Sequence, residues 1–218
     1  MSSHDAPHTL SRPRGASLAA VGVALVLIAL FMVVGGAVES GRTLTFDLAA
    51  HRMAYEDIGP RLEGVMEAGP LLGTSTLLWA PLMTAWLLCR HRLPSALAVG
   101  ASEAGAFILY AALKGLFHRV RSGDAAPHNV FGYLFPSGHT MASIVTFGLL
   151  GYLISARYRG WARAGAVVVT VGIIAFVALS LIYLDTHYIT DVIGGLLIGG
   201  AWLILSIDLL RHVEAAAG

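Results

Sequence analysis

Six long apolar segments constrain the fold of this chain more than any other feature of its sequence. A transmembrane helix needs about 20 consecutive, mostly apolar residues. Runs of this kind occur near 17–37, 67–89, 95–117, 137–156, 162–184 and 188–210. Charged residues make up only 12% of the 218 residues, whereas soluble domains carry about 25%. We therefore predict an all-α, polytopic membrane protein whose six transmembrane helices form one bundle.

The six segments leave room for a single domain. We predict a membrane domain over residues 17–211, between a cytoplasmic N-terminal tail, 1–16, and a C-terminal tail, 212–218. The first apolar run has a basic start and small residues near its end, as signal peptides do, but its length of about twenty residues favours a retained span. Segment 38–66 is amphipathic, and we expect it to lie along the membrane interface or to pack on the bundle surface.

The placement of lysine and arginine predicts the orientation of the bundle. The short loops 90–94 and 157–163 are basic and contain no acidic residue, whereas segment 39–67 mixes both signs of charge. Because cytoplasmic loops carry an excess of lysine and arginine, both termini are expected inside. A net charge of +1 does not favour a nucleic-acid partner. Cys89 is the only cysteine, which excludes an internal disulfide and cysteine-rich metal sites.

Polar residues gather in three clusters, all at the predicted outer ends of spans. The first cluster is KGLFHRVRS at 114–122, the second is PSGH at 136–139, and the third is SLIYLDTHYITD at 180–191. Polar and ionisable groups at membrane depth are costly and are usually functional. Their convergence on one face of the membrane therefore indicates a shared site.

Residue spacing in the first and third clusters suggests how their side chains are arranged. Lys114, His118 and Arg121 share one helical face if the third span continues that far. The alternative is that lysine and arginine reach toward lipid headgroups. His187 and Asp191 lie one helical turn apart, so the carboxylate can orient the imidazole. A structural histidine–aspartate pair that caps the helix is the alternative there.

The second cluster has the composition of a helix N-terminus. Ser137 is a favourable N-cap, and Gly138 lets another group approach the backbone closely. The unpaired N–H groups of such a helix end form an anion site, and His139 stands beside it. A plain helix cap next to an interfacial histidine would have the same sequence, so both interpretations remain open from these residues alone.

Together, the order and spacing of the three clusters resemble the signature of the type 2 phosphatidic acid phosphatase superfamily. That signature reads K-x6-R-P, then P-S-G-H, then S-R-x5-H-x3-D. The matching residues here are Lys114, Arg121, Pro136, Ser137, Gly138, His139, Ser180, His187 and Asp191. Ser122 replaces the proline of the first part, and Leu181 replaces the arginine of the third.

The resemblance implies a reaction and assigns its catalytic residues. Members of this family hydrolyse phosphate monoesters or diphosphates on lipids without a metal ion or other cofactor. By resemblance, His187 attacks phosphorus and forms a phosphohistidine, and Asp191 orients and supports it. His139 protonates the leaving oxygen and then assists the attack of water. The resemblance assigns the phosphoryl oxygens to Lys114, Arg121, Ser137 and Gly138.

The leucine at position 181 is the main departure from the family pattern. A leucine replaces neither the shape nor the charge of an arginine, so we expect weakened or substrate-restricted turnover, which Leu181→Arg should raise. Arg119 lies near Arg121 and is a possible substitute for the missing arginine, but helical geometry points it to a different side, and we expect it to face the headgroups. Asp185 adds negative charge near the site, either for a substrate hydroxyl or amine or in solvent.

Three functions remain compatible with the sequence. The leading one is a lipid phosphatase of a bacterial inner membrane, with its site facing the periplasm or exterior. Polyprenyl diphosphate, phosphatidic acid, phosphatidylglycerophosphate or a glycolipid phosphate would suit it as substrate. The others are a non-catalytic relative that binds phosphorylated lipid or a partner protein, and a lipid phosphotransferase.

Away from the motifs, we expect Glu103 to make a buried hydrogen bond, and the glycines at 194–195 and 199–200 to pack helices.

Overall fold

The computed structural model describes residues 17–121 and 130–217, and within them the chain is helical and contains no strand. Its α-helices are α1 (Leu18–Glu39), α2 (Leu44–Ile58), α3 (Glu63–Met66), α4 (Ala68–Cys89), α5 (Leu93–Leu116), α6 (Gly138–Ser155), α7 (Gly160–Tyr183) and α8 (Ile189–Ala217). Short 3-10 turns cover Pro60–Leu62 and Val130–Gly132. The predicted tail 1–16 and Ser122 lie outside the described residues.

Six of these helices are long and apolar enough to cross a membrane, namely α1, α4, α5, α6, α7 and α8. This confirms the predicted six-helix membrane bundle. Helix α8 continues to Ala217, past residue 211, where we had expected the membrane domain to end. The amphipathic segment between the first two spans is helical over α2, which packs against α7 and α8.

Helices α6 and α8 form the centre of the bundle. Half of the apolar stretch of α6 is buried, and α8 packs against α1, α5 and α6. Two glycines of α8 allow this approach: a Cβ at Gly195 would lie 2.7 Å from the Ser137 carbonyl oxygen, and one at Gly199 would lie 3.2 Å from the Met141 Cα. The G-x-x-x-G spacing therefore packs helices, as predicted.

Helix α5 ends earlier than the first polar cluster suggested. Phe117 leaves the helix with extended backbone angles, and its ring packs in a buried cluster with Phe31 and Phe135. Because this aromatic contact turns the chain out of the helix, residues 117–121 are not helical. The expected single helical face through Lys114, His118 and Arg121 is therefore wrong.

Candidate active site

The three polar clusters meet at one end of the bundle, where α5 ends, α6 begins and the α7–α8 turn lies. The Ser137 N–H donates to the Asp191 carbonyl oxygen at 3.0 Å, which joins the start of α6 directly to the start of α8. The ring centroids of His139 and His187 are 6.3 Å apart. The predicted convergence of the second and third clusters is thus present in the fold.

The two histidines approach each other from different elements. His139 is the second residue of α6, and its Nε2 atom is 3.2 Å from Thr74 Oγ1 on α4. His187 lies on the α7–α8 turn, where its backbone N–H donates to the Leu181 carbonyl oxygen at 3.2 Å. The His139 ring is therefore held from α4, whereas His187 is held through its backbone, and the two rings face each other at an interplanar angle of 65°.

Asp191 is fully buried in the first turn of α8 and is surrounded by donors. Its Oδ2 atom accepts a hydrogen bond from the Tyr188 N–H at 2.8 Å and lies 3.7 Å from His187 Nδ1. Its Oδ1 atom accepts from Arg119 Nη1 at 2.8 Å. The one-turn spacing thus places the carboxylate next to His187, with a guanidinium on its other side.

The position of Arg119 corrects the expectation that it faces lipid headgroups. Because the chain is extended after Leu116, the Arg119 side chain turns inward and bridges two carboxylates, Asp191 and Asp47. Its guanidinium also lies 4.4 Å from the centre of the Tyr188 ring. Arg119 therefore belongs to the site, where it contacts the carboxylate that flanks His187.

Lys114 is buried instead of reaching toward lipid headgroups. Its side chain is 1% exposed, its Nζ atom donates to the Tyr133 carbonyl oxygen, and it lies 5.5 Å from the centre of the Tyr110 ring. In the part of the chain that the structure describes, no carboxylate forms an ion pair with Lys114. A buried ammonium without a counter-ion is costly, so this position favours an anionic ligand.

The start of α6 is the predicted helix N-terminus. Ser137 is the N-cap, and its Oγ atom accepts hydrogen bonds from Thr140 N and Thr140 Oγ1. Gly138 follows directly beneath the ring of Tyr110: a Cβ at this position would lie 2.6 Å from that ring. A larger residue would require the Tyr110 ring to move, which is consistent with a glycine between the N-cap and His139.

Arg121 forms an ion pair at the edge of the site. Its Nη1 atom is 2.7 Å from Asp185 Oδ2, its Nη2 atom donates to the Asp185 carbonyl oxygen, and its guanidinium lies 5.0 Å from the centre of the Tyr188 ring. Asp185 lies partly in solvent, with a side chain that is 41% exposed, and its carboxylate holds Arg121 against the α7–α8 turn. A contact of Asp185 with a substrate hydroxyl or amine stays a prediction.

Leu181 does not line the site through its side chain. The side chain is fully buried in an apolar cluster with Val177, Ile182 and Val192, and Leu72 and Leu196 pack against it. The Leu181 carbonyl oxygen accepts from the backbone N–H groups of Thr186 and His187. Position 181 therefore supports the turn that carries His187, and its side chain is part of the hydrophobic core.

A cavity of about 430 Å³ adjoins His139 between α4, α5 and α6. Its walls include Tyr110, Leu77 and Phe107, and Glu103 lies at the far end. Glu103 Oε2 accepts a hydrogen bond from Thr146 Oγ1 at 2.9 Å, as expected of a buried acid. Glu103 Oε1 is buried and has no hydrogen-bond partner among the described residues.

Sequence reasoning missed several residues that shape the site. Asp47 on α2 and Thr74 on α4 contact Arg119 and His139, yet both lie far from the three motifs in sequence. The sequence could have indicated Asp47, since it is an acid among the apolar positions of an amphipathic segment. Nothing in the sequence around Thr74 indicated that it contacts the site.

Comparison with known proteins agrees with the motifs and with the fold. Phosphatidylglycerophosphatase B of Bacillus subtilis (strain 168) is 31% identical over 94 residues, which are 42% of this chain and 46% of that protein. The matched region thus spans about half the length of that relative. The crystal structure of the first transmembrane PAP2 type phosphatidylglycerolphosphate phosphatase from Bacillus subtilis has a TM-score of 0.73 at 23% identity, covering 89% of this chain and 97% of that one.

The family assignment comes from the sequence over more than half of the chain. The family model of the PAP2 superfamily matches residues 95–213, a region that contains all three motifs and four of the six membrane-spanning helices. This confirms the family that the motifs indicated, and with the six apolar helices it identifies an integral membrane protein. The chain belongs to the PAP2 superfamily.

Proposed function

We propose that this protein is a lipid phosphatase that hydrolyses a phosphate monoester or diphosphate on a membrane lipid without a metal ion. The observation that carries the proposal is the pair His139 and His187, whose ring centroids are 6.3 Å apart at the N-terminal end of α6. This spacing suits a phosphoryl group between a nucleophile and an acid. The family and the relative named phosphatidylglycerophosphatase B support the same reaction class.

In the first chemical step, His187 Nε2 attacks phosphorus and a P–N bond forms as the P–O bond to the lipid breaks. Asp191, 3.7 Å from His187 Nδ1, orients the ring and stabilises the positive charge that it gains. His139 gives its proton to the leaving lipid oxygen. The products of this step are a lipid alcohol, or a lipid phosphate from a diphosphate, and phosphohistidine 187.

In the second step, water replaces the lipid oxygen on the same side of phosphorus. His139, which is now deprotonated, takes a proton from the water as the oxygen attacks. The P–N bond breaks, inorganic phosphate leaves, and His187 returns to its starting state. Thr74, 3.2 Å from His139 Nε2, fixes the ring from α4 and can exchange its contact for one with the reacting oxygen.

Charge stabilisation comes from groups around the two histidines. Phosphoryl transfer depends mainly on positioned positive charge, because negative charge spreads over the phosphoryl oxygens in the transition state. Lys114 supplies a buried ammonium that acts on both His139 and Asp191. The Ser137 hydroxyl accepts two hydrogen bonds and can donate its own hydrogen to a phosphoryl oxygen. The Gly138 N–H, at the N-terminus of α6, is a further donor for a phosphoryl oxygen.

Arg121 contributes to phosphate binding from the edge of the site. Arginine carries five N–H groups in a fixed fork that matches phosphoryl oxygens, and the Arg121 guanidinium lies 5.0 Å from the centre of the Tyr188 ring. A phosphoryl group that arrives near Tyr188 would meet this charge first. We assign Arg121 to capture of the substrate and Lys114 to the transition state.

The lipid part of the substrate has a place beside the proton donor. The cavity of about 430 Å³ adjoins His139, and its walls include the exposed residues Leu77 and Phe107. A lipid could therefore enter from the bilayer with its phosphate at the histidines. The basic loops at the opposite end of the bundle support an active site outside the cytoplasm, and we propose a bacterial inner membrane as its location.

Phosphate release from a panel of lipid phosphates, measured in the presence of a chelator, tests this proposal. The wild type should release phosphate from at least one lipid, and His187→Ala should release none. His91→Asn is the matched control, since His91 is exposed on the α4–α5 turn at the other end of the bundle. Activity lost in chelator and restored by one particular metal ion would overturn the metal-independent mechanism.

The second candidate function is non-catalytic, because Leu181 replaces an arginine of the family motif. A relative that binds a phosphorylated lipid without hydrolysing it would need Lys114 and the α6 N-terminus but not the full arginine set. Tight lipid-phosphate binding with no turnover on any lipid of the panel would favour it. Transfer of phosphate to an added lipid alcohol in place of water would instead identify a phosphotransferase, which shares the first step.

A further inference from the structure

We propose that Asp47 is a positioning residue of the active site, which acts through Arg119 to keep Asp191 able to support His187. Asp47 lies on α2, outside residues 95–213, which the family model matches. The inference deepens the proposed function and rests on it. It assigns to the helix between the first two spans a role in the reaction, in addition to packing.

Asp47 is the acceptor at the centre of a buried hydrogen-bond network. It is 0% exposed, although most of α2 is half-buried or exposed. Its Oδ1 atom accepts from Thr190 N at 3.1 Å and from Thr190 Oγ1 at 2.9 Å, and its Oδ2 atom accepts from Arg119 Nη2 at 2.5 Å. The carboxylate therefore joins α2 to the first turn of α8, next to Asp191.

Arg119 connects Asp47 to Asp191, which lies beside His187. While Nη2 is held by Asp47, Nη1 donates to Asp191 Oδ1 at 2.8 Å and to Thr190 Oγ1 at 2.7 Å. The guanidinium is thus fixed on one oxygen of Asp191. The other oxygen, Oδ2, remains on the side of His187 Nδ1, which is 3.7 Å away. His187 Nδ1 has no hydrogen-bond partner among the described residues, and Oδ2 is the Asp191 oxygen paired with it.

The charges of the network explain why a second acid is needed. Arg119 alone would neutralise Asp191 and cancel the electrostatic support that a carboxylate gives to a histidine nucleophile. With Asp47 present, two carboxylates share one guanidinium, so the group of Asp47, Arg119 and Asp191 keeps one net negative charge. Arg121 does not change this balance, because Asp185 pairs with it. Lys114, which also acts on Asp191, remains for the phosphoryl group.

A purely structural ion pair would make a different prediction. If Asp47 only anchored α2, its replacement would lower the stability of the protein. The molecules that remain folded would then keep the wild-type reactivity of His187. If it positions the site, Asp47→Asn should reduce the reactivity of His187 in protein that is still folded. Asparagine suits this test, because it keeps the shape and one acceptor oxygen but removes the charge.

The experiment measures the reactivity of His187 in two ways, once without substrate and once with it. The first is the rate at which diethyl pyrocarbonate modifies His187, followed by mass spectrometry on folded protein in detergent. The second is kcat and KM on whichever lipid phosphate the wild type hydrolyses. The variants are Asp47→Asn, Arg119→Lys and the double variant. Asp57→Asn is the matched control, since Asp57 is exposed on the same helix.

We expect Asp47→Asn to slow modification of His187 several-fold and to lower kcat about 10- to 100-fold, by analogy with the loss of partners that orient metal-binding histidines, with KM little changed. Arg119→Lys cannot bridge both carboxylates and should give a similar loss. The double variant should be no worse than the single ones, because both act through one network. Asp57→Asn should behave as the wild type.

Other results would separate the two proposals. Slower His187 modification in Asp47→Asn, combined with no hydrolysis by the wild type, would support the role of Asp47 and contradict the phosphatase function. Unchanged modification and unchanged kcat in folded Asp47→Asn would overturn the role of Asp47 while the phosphatase function stands. If Asp47→Asn does not fold, Arg119→Lys decides: unchanged His187 reactivity in that variant also overturns the inference.

Discussion

Lys114 holds a buried ammonium whose position favours a bound anion. The ammonium lies beside Tyr110, forms no ion pair in the described part of the chain, and donates to the Tyr133 carbonyl oxygen. Burial of such a charge lowers the stability of the protein. It also strengthens the electrostatic attraction between Lys114 and a phosphoryl group, because little water is present to screen it.

Replacing Lys114 should separate activity from stability. Lys114→Met removes the charge and keeps the volume of the side chain, so we expect phosphate release to fall by at least about 10²-fold. Thermal stability in detergent should stay the same or rise, because a buried, unpaired charge has been removed. A variant that loses stability and keeps its activity would show that Lys114 is structural.

Leu181→Arg should destabilise the protein and should not raise its activity. The side chain would enter an apolar cluster formed by α7 and α8. A charge left uncompensated in such a core costs about 3–5 kcal/mol, whereas Leu181→Met should cost less than about 1.5 kcal/mol. Unfolding and phosphate release of both variants provide the measurement. A stable Leu181→Arg protein with faster turnover would restore the family role of this position.

The residues of the site differ in how far the sequence could predict their positions. His187 and Asp191 are close in sequence, so their proximity could be predicted although His187 lies on the α7–α8 turn, outside α8. Ser137 needed only local capping rules. Arg119 could not be placed, because its direction depends on where α5 ends. That end is set by the aromatic contacts of Phe117 with Phe31 and Phe135, which are distant in sequence.

At the scale of helices, the close contact between α6 and α8 holds the site together. Gly195 faces the Ser137 carbonyl oxygen, and the Ser137 N–H bonds to the Asp191 carbonyl oxygen in the same region. Any increase in the distance between the two helices would separate His139 from His187. Hydropathy alone predicted both helices, but it could not predict this contact, which depends on the absence of one side chain.

Enlarging Gly195 should therefore lower activity through helix separation. Gly195→Val places a side chain against backbone, which cannot move aside as a flexible side chain would, and overpacking of this kind costs about 1–3 kcal/mol. We expect a clear loss of kcat with the same lipid. Gly172→Ala on α7 is the control, since no atom lies within 4 Å of a Cβ there. Equal activity of Gly195→Val and the wild type would show that the contact does not position the site.

At the scale of the whole molecule, the arrangement of charges predicts how the bundle crosses the membrane. Single cysteines at Glu56 on α2 and Arg159 between α6 and α7 should lie on opposite sides, in a Cys89→Ala background; all three native residues are exposed. A membrane-impermeant maleimide added to intact cells should label position 56 and leave position 159 unlabelled until the membrane is opened. The reverse pattern would place the active site in the cytoplasm.

Trapping the reaction intermediate tests the central claim most directly. A lipid phosphate that carries labelled phosphorus in its terminal group is mixed with the protein in chelator, quenched with alkali within one turnover, and the labelled peptide is identified by mass spectrometry. We predict a phosphoryl group on His187 that is stable to alkali, lost in acid, and absent from His187→Ala. Release of phosphate at full rate with the phosphoryl group on another residue, or on none, would contradict the mechanism.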